Sequence, residues 1–213
     1  MKLYGYFRSS AAYRVRVALN LKGLKPEQAF IHLRRGEQKA APYADLNPEH
    51  LVPALEVGGR LLTQSMAIIE YLDETHPAPP LLPADPLDRA RVRALALAVA
   101  CDIHPLNNLR VLQHLKSALG HSQEEVDGWY RHWIAVGLTA LEAQLAGDAR
   151  TGRFCHGDEP GLADVFLVPQ MANARRLDCP LEAYPTLTRI EAACQALPAF
   201  AEAAPARQPD AEA

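Results

Sequence analysis

Two adjacent serines, Ser9 and Ser10, stand where an apolar and aromatic run gives way to a helical pattern. The run from Leu3 to Phe7 has strand character, and the residues after the serines place apolar side chains on one face of a helix that Gly23 can end. A hydroxyl at a helix start can cap the helix. It can also join the open N–H groups of the first turn, which carry about half a positive charge, in holding an anion. The junction therefore predicts either an ordinary cap or an anion site.

A second junction of the same kind lies at Gln64-Ser65, where another helix opens. Ile68, Ile69 and Leu72 form its apolar stripe, and Ser65 is its predicted N-cap. A carboxylate can bind at this helix start by the same physics.

The elements that must position these junctions form a β-α-β-α-β-β-α order over about 76 residues. Gly58-Gly59 predicts a two-residue hairpin turn. Pro53 has no N–H to give to a ladder, so it is predicted at an edge or a bend, where the preceding peptide bond can be cis. The predicted strands cover Leu3–Phe7, Glu27–Leu33, Leu51–Val57 and Arg60–Thr63.

The second part of the chain begins after a proline-rich linker, residues 76–83. Beyond the linker no segment has strand character, and the last nine residues are predicted to fray. We therefore predict a small mixed α/β domain over residues 1–80 and an all-helical domain over residues 81–213. Helical spacing covers 85–119, 123–145, 162–177 and 186–203.

Composition limits the classes of protein. A net charge of -3 without a Lys/Arg block argues against nucleic acid and anionic membranes as partners. No segment resembles a signal peptide or a membrane span, which predicts a cytoplasmic protein. The four cysteines are widely spaced, so neither disulfides nor a metal site is expected.

Taken in order, several motifs resemble the zeta class of the cytosolic glutathione transferases, and the resemblance covers essentially the whole chain. The motifs are Arg8-Ser9-Ser10 with Arg14-Val15-Arg16, Asn47-Pro48, Leu51-Val52-Pro53, Gln64-Ser65 with Ala67-Ile68-Ile69-Glu70-Tyr71-Leu72, Leu81-Leu82-Pro83, Asn107-Asn108 and Gln208-Pro209-Asp210.

The resemblance implies a glutathione transferase fold and a homodimer. Its first domain would be thioredoxin-like and bind glutathione, and its helical domain would carry the second-substrate site. Ser9, or alternatively Ser10, would hydrogen-bond the glutathione sulfur. The other implied glutathione contacts are Gln38, Val52 beside a cis Pro53, Gln64, Ser65, His104 and Asn108.

The physics of a thiol agrees with this assignment. A free thiol has a pKa near ~8.5, and a helix start with a hydroxyl donor can lower it by one or two units. A second helix start can receive a carboxylate of the same tripeptide.

The resemblance also implies a reaction, the cis–trans isomerisation of a maleyl keto acid to its fumaryl isomer in aromatic or tyrosine catabolism. The keto acid would be maleylpyruvate or maleylacetoacetate. Arginine binds carboxylates bidentately and keeps its charge, so Arg8, Arg110 and Arg176 are the predicted carboxylate-binding residues. The other arginines considered, predicted as surface or ion-pair residues, are Arg14, Arg16, Arg34, Arg35 and Arg175.

Two positions depart from the family pattern. Ala11 stands where many members have cysteine, and Gly161 stands where a Ser or Thr cap is usual before Asp164. Two other functions remain open at this point: a general glutathione S-transferase that conjugates electrophiles, and a non-catalytic protein of transferase fold.

Overall fold

The computed structural model describes residues 1–212, which form two compact units. Unit 1 comprises Met1–Pro80 together with the C-terminal segment from Ala196 onward, and unit 2 comprises Leu81–Gln195. The contacts divide the chain after residue 80 and again before Ala196. The domains proposed from the sequence, residues 1–80 and 81–213, stay a prediction.

Unit 1 is built on a four-stranded mixed sheet with the order β2-β1-β3-β4. β1 pairs parallel with β2 and antiparallel with β3, which forms a hairpin with β4. Gly58 and Gly59 turn that hairpin with φ of +55° and +73°, values that favour glycine. The strands are β1 Lys2–Gly5, β2 Glu27–Phe30, β3 Ala54–Val57 and β4 Arg60–Thr63.

The helices connect and cover these strands or form unit 2. In α3 the predicted stripe of Ile68, Ile69 and Leu72 is fully buried. A π-helical segment, Ala98–Ile103, continues α4. The helices are α1 Ser10–Leu21, α2 Tyr43–Leu46, α3 Ser65–Thr75, α4 Pro86–Leu97, α5 Leu109–Ser117, α6 Gln123–Ala146, α7 Leu162–Arg176, α8 Pro185–Gln195 and α9 Pro198–Ala201. No helix within residues 1–212 is both long and apolar enough to cross a membrane.

Several predicted boundaries are wrong. β2 ends at Phe30 instead of Leu33, because Leu33–Arg35 form a 3-10 turn. The helix predicted over 85–119 is interrupted before α5, where Asn108 caps a new start. The helix predicted over 186–203 divides into α8 and α9, and Pro198 opens the second of them.

The prediction that the last nine residues fray is also wrong for residues 205–212. The Asp210 carboxylate accepts the Phe7 backbone N–H at 2.9 Å, and Glu212 pairs with Arg35 at 2.9 Å. The Gln208 side chain donates to the carbonyls of Glu202 and Ala204 at 2.9 and 3.0 Å. These bonds fix the end of the chain to unit 1.

Arg14 and Arg16, predicted as surface or ion-pair residues, are buried, with 2% and 6% of their surface exposed. Both lie in α1, and their guanidinium groups donate to atoms far away in the sequence. Arg175 conforms to the ion-pair prediction through Glu191.

At the start of α7, Asp164 accepts the Gly161 backbone N–H, as half a capping box would. A Cβ on Gly161 would lie 3.0 Å from the Leu81 carbonyl oxygen, which explains a glycine at this cap.

Candidate functional site

The strand register gathers three predicted site segments of unit 1 at one edge of the sheet. Tyr4 near the end of β1 pairs with Ala54 at the start of β3, which pairs with Thr63 at the end of β4. Since adjacent antiparallel strands run in opposite directions, the chain segments next to these three residues leave the sheet at the same edge. They are the serine junction, Val52-Pro53 and Gln64-Ser65.

Ser9 is the N-cap of α1, and its Oγ accepts the backbone N–H of Ala12 at 3.2 Å. The hydroxyl is half-buried, and its own proton is donated to no side chain or carbonyl in the part of the chain that the structure describes. A hydroxyl has one donor and two acceptor positions, so Ser9 can accept from the helix and still donate to a ligand. The predicted cap is therefore confirmed for Ser9, and the role of its hydroxyl at an anion site stays a prediction.

The two neighbours of Ser9 differ in exposure. Ser10 is the first residue of α1 and only 7% exposed. Arg8 is exposed, and its guanidinium lies 5.1 Å from the centre of the Phe7 ring. The turn thus presents a half-buried hydroxyl next to an exposed positive charge.

Val52 and Pro53 are buried and joined by a cis peptide bond. Because β3 begins only at Ala54, the Val52 main chain lies outside the β1–β3 ladder. The residue before it is held in place by Tyr43 and Asn47, which both donate to the Leu51 carbonyl. A fixed strand edge of this kind can pair with the backbone of a peptide ligand.

Gln64, not Ser65, is the N-cap of α3, so the predicted Ser65 cap is wrong. Gln64 has φ of +66°, a left-handed conformation that is costly for a residue with a side chain. No side chain caps the first turn of α3, and the Ser65 hydroxyl instead accepts from buried Arg14 at 3.3 Å. The open N–H groups of α3 and the nearby guanidinium favour an anion at this position.

The Gln64 side chain is exposed and donates to Glu49 at 3.1 Å. Neither Arg14 nor Glu49 was predicted as part of the site. The only sequence signal for Arg14 was its position inside the zeta-class motif, since its spacing alone indicates surface.

Gln38 is 6% exposed, yet its side-chain oxygen accepts no hydrogen bond from residues 1–212. A buried acceptor without a partner costs roughly 1–3 kcal/mol unless a ligand or water satisfies it. Gln38 was predicted to contact glutathione, and this acceptor suits such a contact.

The other predicted residues lie in unit 2. His104 is half-buried directly after the π-helical segment, and its backbone N–H donates to Val99. Asn108 caps α5 by accepting the N–H of Arg110, whose side chain is exposed on the first turn. The structure thus brings Asn108 and Arg110 together at one helix start.

Arg176 lies in the last turn of α7, exposed, and is held by Tyr130 of α6. It donates to the tyrosine hydroxyl at 3.2 Å and lies 5.6 Å from the ring centre. Burial raises the pKa of Tyr130, and the nearby Arg176 charge opposes that rise. The tyrosine therefore stays neutral and holds the guanidinium in one place.

On α6, Trp129 and Trp133 are half-buried. Their rings meet edge to face at 5.7 Å, and Trp129 donates to the Leu106 carbonyl at 2.8 Å. The four cysteines are free thiols, and burial raises the pKa of Cys155 and Cys194. Within the described residues no group of three or more His, Cys, Asp or Glu side chains could hold a metal ion.

Comparison with known proteins places this geometry in a family. The model of the glutathione S-transferase N-terminal domain matches residues 1–74. The probable maleylacetoacetate isomerase of Vibrio cholerae is 55% identical over 211 residues, covering 98% of this chain and 97% of that protein.

Two solved structures are similar over the full length of both chains. One is a maleylpyruvate isomerase described as a bacterial glutathione S-transferase of the zeta class, with a TM-score of 0.98 and 48% identity. The other is a maleylacetoacetate isomerase from Methylobacterium extorquens AM1 with bound malonate and glutathione, with a TM-score of 0.97 and 44% identity. Unit 1 accordingly contains the thioredoxin-like domain of this fold, and the chain belongs to the zeta class of the glutathione transferase family.

Proposed function

We propose that this chain is a glutathione-dependent cis–trans isomerase that converts a maleyl keto acid to its fumaryl isomer. The observation that carries the proposal is one end of the strands of unit 1. The chain segments that contain the Ser9 hydroxyl, the Val52 main chain and the uncapped start of α3 all adjoin the sheet at this end. These three features provide a donor for a thiolate, a strand edge for a peptide and an anion site for a carboxylate.

Glutathione supplies the thiolate, which adds to the cis double bond and leaves again after rotation about the resulting single bond. Ser9 stabilises the thiolate by donating its free hydroxyl proton, and the dipole of α1 adds to this effect. Ser10 contributes its backbone N–H at the same helix start. Together these groups can supply the roughly 1.4–2.7 kcal/mol that corresponds to a pKa lowered by one or two units.

The remaining glutathione contacts are assigned by chemistry. Gln64, Ser65 and the open turn of α3 bind the γ-glutamyl carboxylate, and Val52 beside cis Pro53 pairs with the cysteinyl backbone. The partnerless Gln38 oxygen accepts an N–H of the tripeptide. His104 and Asn108, which lie in unit 2, are retained as glutathione contacts on the resemblance to the zeta class alone.

The keto acid substrate carries two carboxylates and develops negative charge on its keto oxygen during the reaction. Arg8, Arg110 and Arg176 supply the positive charges, and their exposure leaves guanidinium donors available. Arg176 is the best positioned of the three because Tyr130 holds it. The crystal structure of the Methylobacterium extorquens relative, which contains malonate with glutathione, supports dicarboxylate binding in this family.

We further propose a cytoplasmic homodimer with a glutathione-binding domain over residues 1–80. No nucleic acid or membrane partner is part of the proposal.

The test is an ultraviolet assay of maleylpyruvate and maleylacetoacetate turnover, with and without glutathione, on the wild type and on Arg110→Ala. We expect turnover that vanishes without glutathione, and a changed preference between the two keto acids in Arg110→Ala. If neither acid is isomerised while a chlorinated nitroaromatic is conjugated rapidly, the chain is a general glutathione S-transferase and the proposal is wrong.

A further inference from the structure

We propose that Asp210 and Arg16 are positioning residues that hold the turn carrying Ser9, so that the C-terminal segment helps to set the acidity of the bound thiol. The inference rests on the proposed function for its catalytic consequence. Its structural part, that Asp210 fixes the turn, stands on contacts within unit 1 alone.

Both backbone polar groups of Phe7, two residues before Ser9, are held by charged side chains. Its N–H donates to Asp210 Oδ2 at 2.9 Å, across a separation of 203 residues, and its carbonyl accepts from Arg16 Nη2 at 3.1 Å. Hydrogen bonds that involve a charged group are stronger than those between neutral groups. Phe7 is therefore fixed from two sides.

The turn is closed by a third bond in the same place. The Tyr6 carbonyl accepts the Ser9 backbone N–H at 3.0 Å and also lies 3.5 Å from Arg16 Nη1. Arg16 thus bonds two successive carbonyls of the turn that ends at Ser9.

Arg16 also connects the turn to the C-terminal segment, because its Nε donates to the Ala203 carbonyl at 2.9 Å. The guanidinium is 6% exposed, and burial lowers its pKa to about 10, which leaves it charged at neutral pH. The charge of Asp210 partly offsets this cost of burial. The buried guanidinium therefore donates both to the turn and to the C-terminal segment. If either one moved, Arg16 would lose hydrogen bonds that compensate for its burial.

The C-terminal segment is itself anchored, so it can serve as a fixed point. Tyr13 of α1 donates to the Phe200 carbonyl at 3.2 Å, and the Gln208 amide bonds two carbonyls of the segment. Ala211 packs against the cluster that contains Phe7 and Val52. The other oxygen of Asp210, Oδ1, has no partner within residues 1–212, so the bond to Phe7 is the contact that the carboxylate makes there.

The charge of Asp210 cannot be what favours a thiolate, because a negative charge close to the sulfur raises the pKa of a thiol. If Asp210 acted through its field, removing the charge would lower the pKa of the bound thiol. If it acts by fixing the turn, loss of its hydrogen bond lets Ser9 shift and raises that pKa. The two explanations therefore predict changes of opposite sign in the pKa of the bound thiol.

The experiment uses the full chain with four substitutions. Asp210→Asn keeps an acceptor for the Phe7 N–H without the charge, Asp210→Glu keeps the charge but displaces the oxygen, and Asp210→Ala removes both. Glu212→Ala is the matched control, because Glu212 lies in the same segment but bonds His32 and Arg35. The readouts are the pH titration of thiolate absorbance with bound glutathione, kcat and KM, and hydrogen exchange of the Phe7 amide.

We expect Asp210→Glu and Asp210→Ala to raise the pKa of the bound thiol by about one unit and to lower kcat about tenfold near neutral pH, with a smaller change in the KM for glutathione. Their Phe7 amides should exchange faster than in the wild type. Asp210→Asn and Glu212→Ala should keep the wild-type values. If Asp210→Ala does not fold, the Asn and Glu variants decide the question alone.

A lower thiol pKa in Asp210→Asn, with wild-type values in Asp210→Glu, would overturn the positioning role. So would unchanged Phe7 exchange in both Asp210→Glu and Asp210→Ala. A wild-type enzyme that isomerises neither keto acid contradicts the proposed function instead, and Phe7 exchange still tests the anchor in that case.

Discussion

The Ser9 hydroxyl accepts one hydrogen bond from the helix that it caps and retains one proton to donate. We expect Ser9→Ala to raise the pKa of bound glutathione by about one unit and to lower kcat at least tenfold. The same change should cost about 1 kcal/mol of unfolding free energy through loss of the cap. Thiolate absorbance, turnover and urea unfolding measure the three effects.

Ser10→Ala is the matched control for that experiment, because Ser10 is buried where Ser9 is half-buried. It should leave the pKa of the bound thiol near the wild-type value. If the pKa of the bound thiol rises more in Ser10→Ala than in Ser9→Ala, then Ser10 and not Ser9 contacts the sulfur.

Arg176 is the predicted carboxylate-binding residue with the most defined surroundings. We expect Arg176→Met to lower kcat/KM for the keto acid about tenfold or more while the KM for glutathione stays unchanged. Tyr130→Phe keeps the arginine and removes only the bond at 3.2 Å, so its effect should be smaller. Steady-state kinetics with each substrate varied in turn separates the two, and a KM for glutathione that rises as much as the KM for the keto acid would contradict the assignment.

Among the elements of unit 2, α4 is tied to the chain between α6 and α7 by Arg91. Its guanidinium donates to Asp148 at 2.8 Å, to Thr151 at 2.9 Å and to the Cys155 carbonyl at 2.9 Å. Hydrogen bonds from Arg150, and then from Arg91, hold the pKa of Asp148 well below its usual range. The carboxylate therefore stabilises the fold above its ordinary pKa, near 4, and this contribution is lost as the pH falls.

Asp148→Asn should accordingly be less stable than the wild type at pH 7, and the difference should shrink toward pH 2. The free energy of unfolding, measured by urea titration at several pH values, tests the sign. A difference that stays constant with pH would show that Asp148 acts without its charge. Glu159→Gln, an exposed acidic position on the following loop, is the control.

An element can be predicted from the sequence when the interactions that form it join residues that are close in the sequence. The hairpin at Gly58-Gly59 and the stripe of α3 follow from neighbouring residues, and both are confirmed. β2 is shorter than its pattern, because alternation continues into a turn that is closed by hydrogen bonds at Arg35 and Gly36. The predicted Ser65 cap is wrong because Ser65 is already the first residue of α3 and Gln64 occupies the N-cap position.

The same distinction holds for the candidate site. Ser9, Val52 and Gln64 were identifiable from motifs, and the sheet register explains why they meet at one edge. The contact between Asp210 and Phe7 spans 203 residues, and Arg16 reaches a carbonyl 187 residues away. No pattern in a single sequence marks such pairs, because the partner atoms belong to the backbone, which every residue has.

At the scale of the whole molecule, the proposed homodimer has a direct test. Leu87 and Leu119 of unit 2 are 78% and 59% exposed, and burial against a second copy of the chain would remove this apolar surface from water. Light scattering should give twice the 23.4 kDa mass of the chain at micromolar concentration. A mass of one chain under these conditions would exclude the dimer.

The pair Trp129 and Trp133 has an optical consequence. These are the two tryptophans of the chain, and both lie in unit 2, so the tryptophan emission of the protein originates there. A melting curve that follows tryptophan fluorescence therefore reports on the helical unit. Unit 1 contains five of the seven tyrosines and no tryptophan, so unfolding of the unit that carries Ser9 needs a second probe, such as far-ultraviolet circular dichroism.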